Sequence, residues 1–119
     1  MPDLNNHLNF ANRNDQFSQD LVSEQRHLDW AVTVMFYAAV HYVEAYFAMN
    51  NLHDTSHIGR EGTIHRDRKL RRIYAAYREL KDDSVKTRYE CHIFPAKEIV
   101  SRIQPNLLAI KNHISGLLV

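Results

Sequence analysis

A chain of 119 residues with 45% apolar and 24% charged residues has the composition of one folded domain, which excludes a disordered polypeptide. Three glycines and three prolines are too few for a turn-rich sheet protein, so an all-α fold is expected across residues 1–119. The net charge is only +1, and a single cysteine, Cys91, excludes an intramolecular disulfide and suits a reducing, cytoplasmic setting.

The N-terminal Met-Pro-Asp-Leu-Asn-Asn has no basic or apolar stretch of the signal-peptide kind. Leu4, Leu8, Ala11, Phe17 and Leu21 recur at helical spacing and predict an amphipathic helix from Leu4 to Gln25. Asp29 then reads as an N-cap. From Trp30 to Met49, 17 of 20 residues are apolar, and this stretch holds six of the twelve aromatic residues. A helix apolar on every face must be covered all round. Glu44 and His41 interrupt it, and no Lys/Arg cluster flanks it, so it reads as the central helix of a soluble core and no membrane partner is expected. Trp30, Phe36, Val40, Val43 and Phe47 are predicted to be buried. That much apolar surface on a short chain also predicts a homodimer.

Residues 50–59 read as a loop. A third helix should end near Lys81, with Leu70, Ile73, Tyr74, Tyr77 and Leu80 on its apolar face. Asp82-Asp83-Ser84 reads as a turn followed by a cap, and Ser84 to Cys91 as a short helix. Pro95 suits the first position of the last helix. Ile99, Ile103, Leu107, Ile110, Ile114 and Leu117 form that helix's apolar stripe, which Pro105 should kink or split. Four main helices and a short one joined by short loops predict an up-and-down bundle.

The small net charge conceals a strong asymmetry. Residues 1–59 hold two basic and seven acidic side chains, whereas residues 60–81 hold eight basic and three acidic. Arg68, Arg71 and Arg72 point away from the apolar stripe, and with Arg66 they are the candidate nucleic-acid-binding residues. They form either a solvated face or a surface that follows the phosphates of a nucleic acid.

Eight histidines are many for this length. His53, His57 and Glu61 stand four residues apart in succession, as zinc ligands on one helix face can, but Arg60 among them opposes a cation, and no metal or other cofactor is expected. Adjacent side chains on a helix do not face each other, so Cys91 and His92 make a poor nucleophile–base pair. His41 and Glu44, buried in the most apolar helix, need polar partners and form a candidate supporting network. Arg60-Glu61-Gly62-Thr63-Ile64-His65 places an Arg five residues before a His. An Arg can hold a phosphate and a His can move protons at neutral pH, so the pair could drive attack of an RNA 2′-hydroxyl without a metal. In a continuous helix two residues five apart diverge by about 140°. Convergence therefore requires the helix to start near Thr63, or His57, three residues from Arg60, to take the second role.

Asp29-Trp30-Ala31-Val32, Phe36-Tyr37-Ala38-Ala39-Val40-His41 and Glu44-Ala45-Tyr46, with Ser56-His57, Arg60, Tyr77-Arg78-Glu79-Leu80, Ser84 and Arg88-Tyr89, resemble the HEPN superfamily over roughly residues 29–90. The resemblance implies a compact helical bundle, often dimeric. Active members are metal-independent RNases, many of them toxins or defence proteins, marked by an Arg and a His separated by four to six residues. Here Arg60 and His65 match that mark, with His57 as a further candidate. Other members are non-catalytic and bind proteins, nucleotides or nucleic acid. The two functional expectations are thus an RNase using Arg60 and His65, and a non-catalytic module whose partner is RNA, an antitoxin or another protein. Glu61, which would repel a phosphate next to Arg60, favours the second.

Overall fold

The computed structural model describes residues 2–52 and 56–119, with His57 described by its backbone alone. Helix α1 (Leu4–Ser23) begins at a reciprocal cap: Asp3 accepts from the Asn6 backbone N–H at 2.8 Å, and Asn6 accepts from that of Asp3 at 3.0 Å. It ends where Gln25 and His27 take left-handed backbone angles, φ 51° and 48°, which turn the chain back. Helix α2 (Leu28–Met49) starts at His27 rather than at Asp29. Asp29 lies in its first turn, where a negative charge faces the positive end of the helix dipole.

α2 is the hub. Helices α1, α4 (Tyr74–Tyr89) and α6 (Gln104–Leu117) pack around it, and 67% of its most apolar stretch is covered by the chain itself, as befits a core helix. Phe36, Val43 and Phe47 are fully buried and Val40 nearly so. Trp30 is not: it is 58% exposed, because it lies with Tyr37, seven residues on, on a face of α2 that the other helices leave open, while its neighbours Ala31 and Val32 are fully buried. Two polar contacts fix the hub's neighbours. The Tyr42 hydroxyl donates to Asn12 on α1 at 2.8 Å, and the Thr33 and Thr87 hydroxyls meet at 3.0 Å between α2 and α4.

The expected third helix is two helices. α3 (His57–Arg66) is capped by the Ser56 hydroxyl, which accepts from the Gly59 N–H at 2.9 Å. It stops at Asp67, whose carboxylate accepts the Lys69 backbone N–H at 2.7 Å and so begins a turn. A 3-10 turn at Arg71–Ile73 then leads into α4 (Tyr74–Tyr89). α4 runs straight through Asp82-Asp83-Ser84, where a turn was expected. Asp83 is buried against Arg102, with contacts of 2.9 and 3.2 Å, and the Ser84 hydroxyl donates to the Lys81 carbonyl at 2.8 Å. With those polar groups satisfied, the local preference for a turn loses.

After Cys91, itself left-handed at φ 54°, an extended stretch buries Phe94. Pro95 then caps a short helical segment, α5 (Ala96–Glu98). The path continues through a π-helical turn at Ile99–Ile103 into α6 (Gln104–Leu117), with Pro105 in its first turn. Proline 105 has no N–H for the carbonyl one turn earlier, and its ring crowds that carbonyl, so the backbone widens there. Helical structure is continuous from Ala96 to Leu117, so the expected disturbance at Pro105 is a change of winding just before it and not a break into two separate helices. The architecture is an all-helical bundle, with no strand among the described residues.

Candidate functional site

Arg60 lies in the first turn of α3, yet it is only 5% exposed. Its Nε donates to Glu44 Oε1 on α2 at 2.8 Å. Burial works against the Arg60 charge, but Tyr77 and Glu44 more than compensate and hold its pKa above the ordinary value. The Tyr77 hydroxyl, buried in the same place, is pushed up to about 12 by its burial, with the Arg60 charge opposing the rise. Glu61 turns the other way and is engaged by Lys81 at 2.7 Å, with Arg78 at 3.9 Å. Both acids near the Arg-to-His stretch are therefore neutralised from within the fold.

His65 is exposed, its ring set edge-on against Tyr74 with centroids 4.7 Å apart. Because α3 is helical from His57 onward, Arg60 and His65 share one continuous helix and diverge by about 140°. One faces the core and the other solvent. The structure does not bring them together. The His57 side chain and all of His53 lie outside the described residues. Among the described residues no group of three His, Cys, Asp or Glu side chains could hold a metal ion.

The expected partners His41 and Glu44 find different groups: Glu44 holds Arg60, and His41 meets His7, a residue that the sequence pattern did not single out. His41 Nδ1 and His7 Nδ1 on α1 are 3.0 Å apart. Burial lowers the pKa of both rings below 6.5; for His41, the neighbouring His7, Arg60 and Arg13 lower it further. Only one of the two facing nitrogens can carry the bridging proton. Phe10 packs on the His41 ring at 5.5 Å.

Arg66, Arg68, Arg71 and Arg72 all lie at the corner where α3 gives way to α4, and Lys69 joins them. All five are exposed, and none forms an ion pair among the described residues. The one acid among them, Asp67, is occupied by the Lys69 backbone N–H and, at 3.4 Å, by the Tyr46 hydroxyl. The break in the helical path gathers these cations at one end of the bundle.

A groove of about 400 Å³ opens beside this corner between α4 and α6, lined by Arg72, Ile73, Ala76, Ala109, Asn112 and His113. At the other end of α4, Arg88 lies 5.8 Å from the Tyr37 ring and 5.1 Å from that of Tyr89. Tyr37, Tyr89 and Trp30 are all exposed there. The groove and this aromatic patch were not read from the sequence; each joins residues from distant parts of the chain, and no local spacing announces them. Comparison of the chain with protein-family models, with curated proteins and with solved structures gave no match.

Proposed function

We propose that this chain is a non-catalytic, HEPN-like helical module of the reducing cytoplasm that binds nucleic acid through the corner formed by Arg66, Arg68, Lys69, Arg71 and Arg72. The observation that carries the reading is the absence of any ion pair to these five exposed cations among the described residues. Cations that fold against carboxylates are already neutralised; these five are available to replace the counterions of a phosphate backbone. Catalysis is left out because Arg60 is engaged by Glu44 and His65 faces away from it.

A labelled RNA incubated with the protein in chelator tests both halves. The expected result is an intact RNA bound with an affinity that falls with salt, the logarithmic slope reaching at most about −3.5 for five contacts to a single strand. No binding, or unchanged binding by Arg68→Ala and Arg71→Ala, overturns the reading. Cleavage that disappears in His65→Ala returns the RNase assignment.

A second reading, a protein partner such as an antitoxin or another copy of this chain, is favoured by the Trp30, Tyr37, Arg88 and Tyr89 patch. Exposed Trp and Tyr around a half-buried Arg have the composition of interface hot spots.

A further inference from the structure

The groove between α4 and α6 differs in chemistry from the corner beside it. Its floor is apolar and shallow, made by Ile73, Ala76 and Ala109, and its polar groups are Arg72, Asn112 and His113. No acid lines it. Its volume of about 400 Å³ lies within the roughly 300–1,000 Å³ of small-molecule pockets. The two alanines keep it open, since any longer side chain at either position would enter it.

The Nε2 of His113 meets the carbonyl oxygen of Lys69, and a carbonyl can only accept, so Nε2 carries the hydrogen. In the neutral ring Nδ1 is then an acceptor. The groove thus offers a cationic donor from Arg72, an amide from Asn112 that both donates and accepts, and an imidazole acceptor. A phosphate oxygen satisfies the first of these but has no hydrogen for the imidazole. A ribose 2′-hydroxyl does, and an unpaired base has a free edge for the amide and a flat face for the alanine floor. Bases inside a duplex are stacked and paired and cannot enter such a recess.

We propose that the α4–α6 groove holds one unpaired nucleotide of single-stranded RNA while the neighbouring phosphates lie along Arg66 to Arg72. This rests on the nucleic-acid reading above and adds a strand preference to it.

The test is fluorescence anisotropy with a labelled single-stranded RNA, the same RNA in duplex form, and the single-stranded DNA of the same sequence. Each is titrated with the full chain and with Ala109→Leu, Asn112→Ala and Arg68→Ala. Ala109 is exposed and Leu is a good helix former, so Ala109→Leu keeps the fold, which circular dichroism verifies. The expected result is that single-stranded RNA binds about tenfold tighter than the duplex, as one or two additional hydrogen bonds would provide. Ala109→Leu and Asn112→Ala should erase that preference without changing the salt slope, whereas Arg68→Ala should weaken all three ligands and reduce the slope. Equal affinity for single strand and duplex overturns the proposal, as does a preference that survives Ala109→Leu and Asn112→Ala. Equal affinity for RNA and DNA overturns the ribose contact. Failure to bind any of the three ligands refutes the nucleic-acid reading itself, which separates the two failures.

Discussion

Glu44 Oε1 and Arg60 Nε stand 2.8 Å apart between α2 and α3, with the arginine almost wholly removed from water. A buried pair of this kind contributes little compared with an apolar pair of similar volume, but either half left alone is a buried, uncompensated charge. Glu44→Ala should therefore lower unfolding stability by about 3 kcal/mol. The double replacement Glu44→Leu with Arg60→Met should recover most of that loss. Urea unfolding of the three proteins checks it. If Glu44→Ala unfolds at the wild-type midpoint, Arg60 is not held in the core as described.

Trp30 and Phe36 lie less than two turns apart on α2 but in opposite environments, 58% and 0% exposed. Trp30→Ala should cost under about 1 kcal/mol, whereas Phe36→Ala should cost about 3–5 kcal/mol through the cavity it leaves. Trp30 is the only tryptophan, so its fluorescence reports its position without ambiguity. Emission in the folded protein should be red-shifted and readily quenched by acrylamide. A blue-shifted, protected signal would mean that Trp30 is covered, for instance by a second copy.

These residues also mark how far the sequence could be read. The all-round apolar pattern of α2 identifies a core helix because no exposed helix keeps such a composition, and the burial of Phe36, Val40, Val43 and Phe47 follows. Trp30 has the same chemistry, but its exposure depends on which face of α2 the other helices leave open. Asp82-Asp83-Ser84 has the local chemistry of a turn; only Arg102, 19 residues beyond Asp83, makes it helix. The candidate site divides the same way. The excess of cations between Arg60 and Lys81 is legible by counting, but which of them are paired is not. Arg60, Arg78 and Lys81 find acids on other turns or other helices, while the five at the corner find none among the described residues.

The His7–His41 contact makes stability depend on pH in a definite direction. Both rings have pKa values below 6.5 in the fold, chiefly through burial, while in the unfolded chain they return to the ordinary value. Below that value the unfolded chain binds more protons than the native one, so stability falls as pH falls. Double protonation would also set two N–H groups against each other, with Arg60 near both rings and Arg13 near His41; Glu44 and Asp3 near His7 offset part of this. The contribution should be complete above pH 6.5 and decline below it, through the lowered native values. Urea midpoints at about pH 7.5 and about pH 5.5 should differ more in the wild type than in His41→Phe. An equal difference in both proteins would refute it.

Gly62 sits inside α3 without a left-handed backbone angle, and a methyl group there would approach the Arg66 guanidinium to 2.9 Å. The obstructing atom is the free end of a flexible side chain, which can swing outward. Gly62→Ala should therefore stabilise the protein by about 0.5–1 kcal/mol by restricting the unfolded chain. A loss of stability in thermal melts would show that Arg66 is fixed in its place over the helix.

The last prediction separates the cations of the corner from those already paired. Arg66, Arg68 and Arg71 are exposed and without ion pairs among the described residues, whereas Arg78 lies 3.9 Å from both Glu61 and Asp82. Replacing one of the first group by Ala removes one contact to phosphate. Affinity for single-stranded RNA should fall, and the salt slope should lose about 0.7 per residue replaced. The loss should be similar for any RNA sequence, because a phosphate contact reads none. Arg78→Ala removes a cation that the fold already neutralises, and should leave both affinity and slope near the wild-type values. Salt titrations of the four variants decide the matter. If Arg78→Ala weakens binding as much as Arg68→Ala and Arg71→Ala, the interaction follows overall charge rather than the corner. The surface that meets nucleic acid would then have to be sought along the whole length of α4.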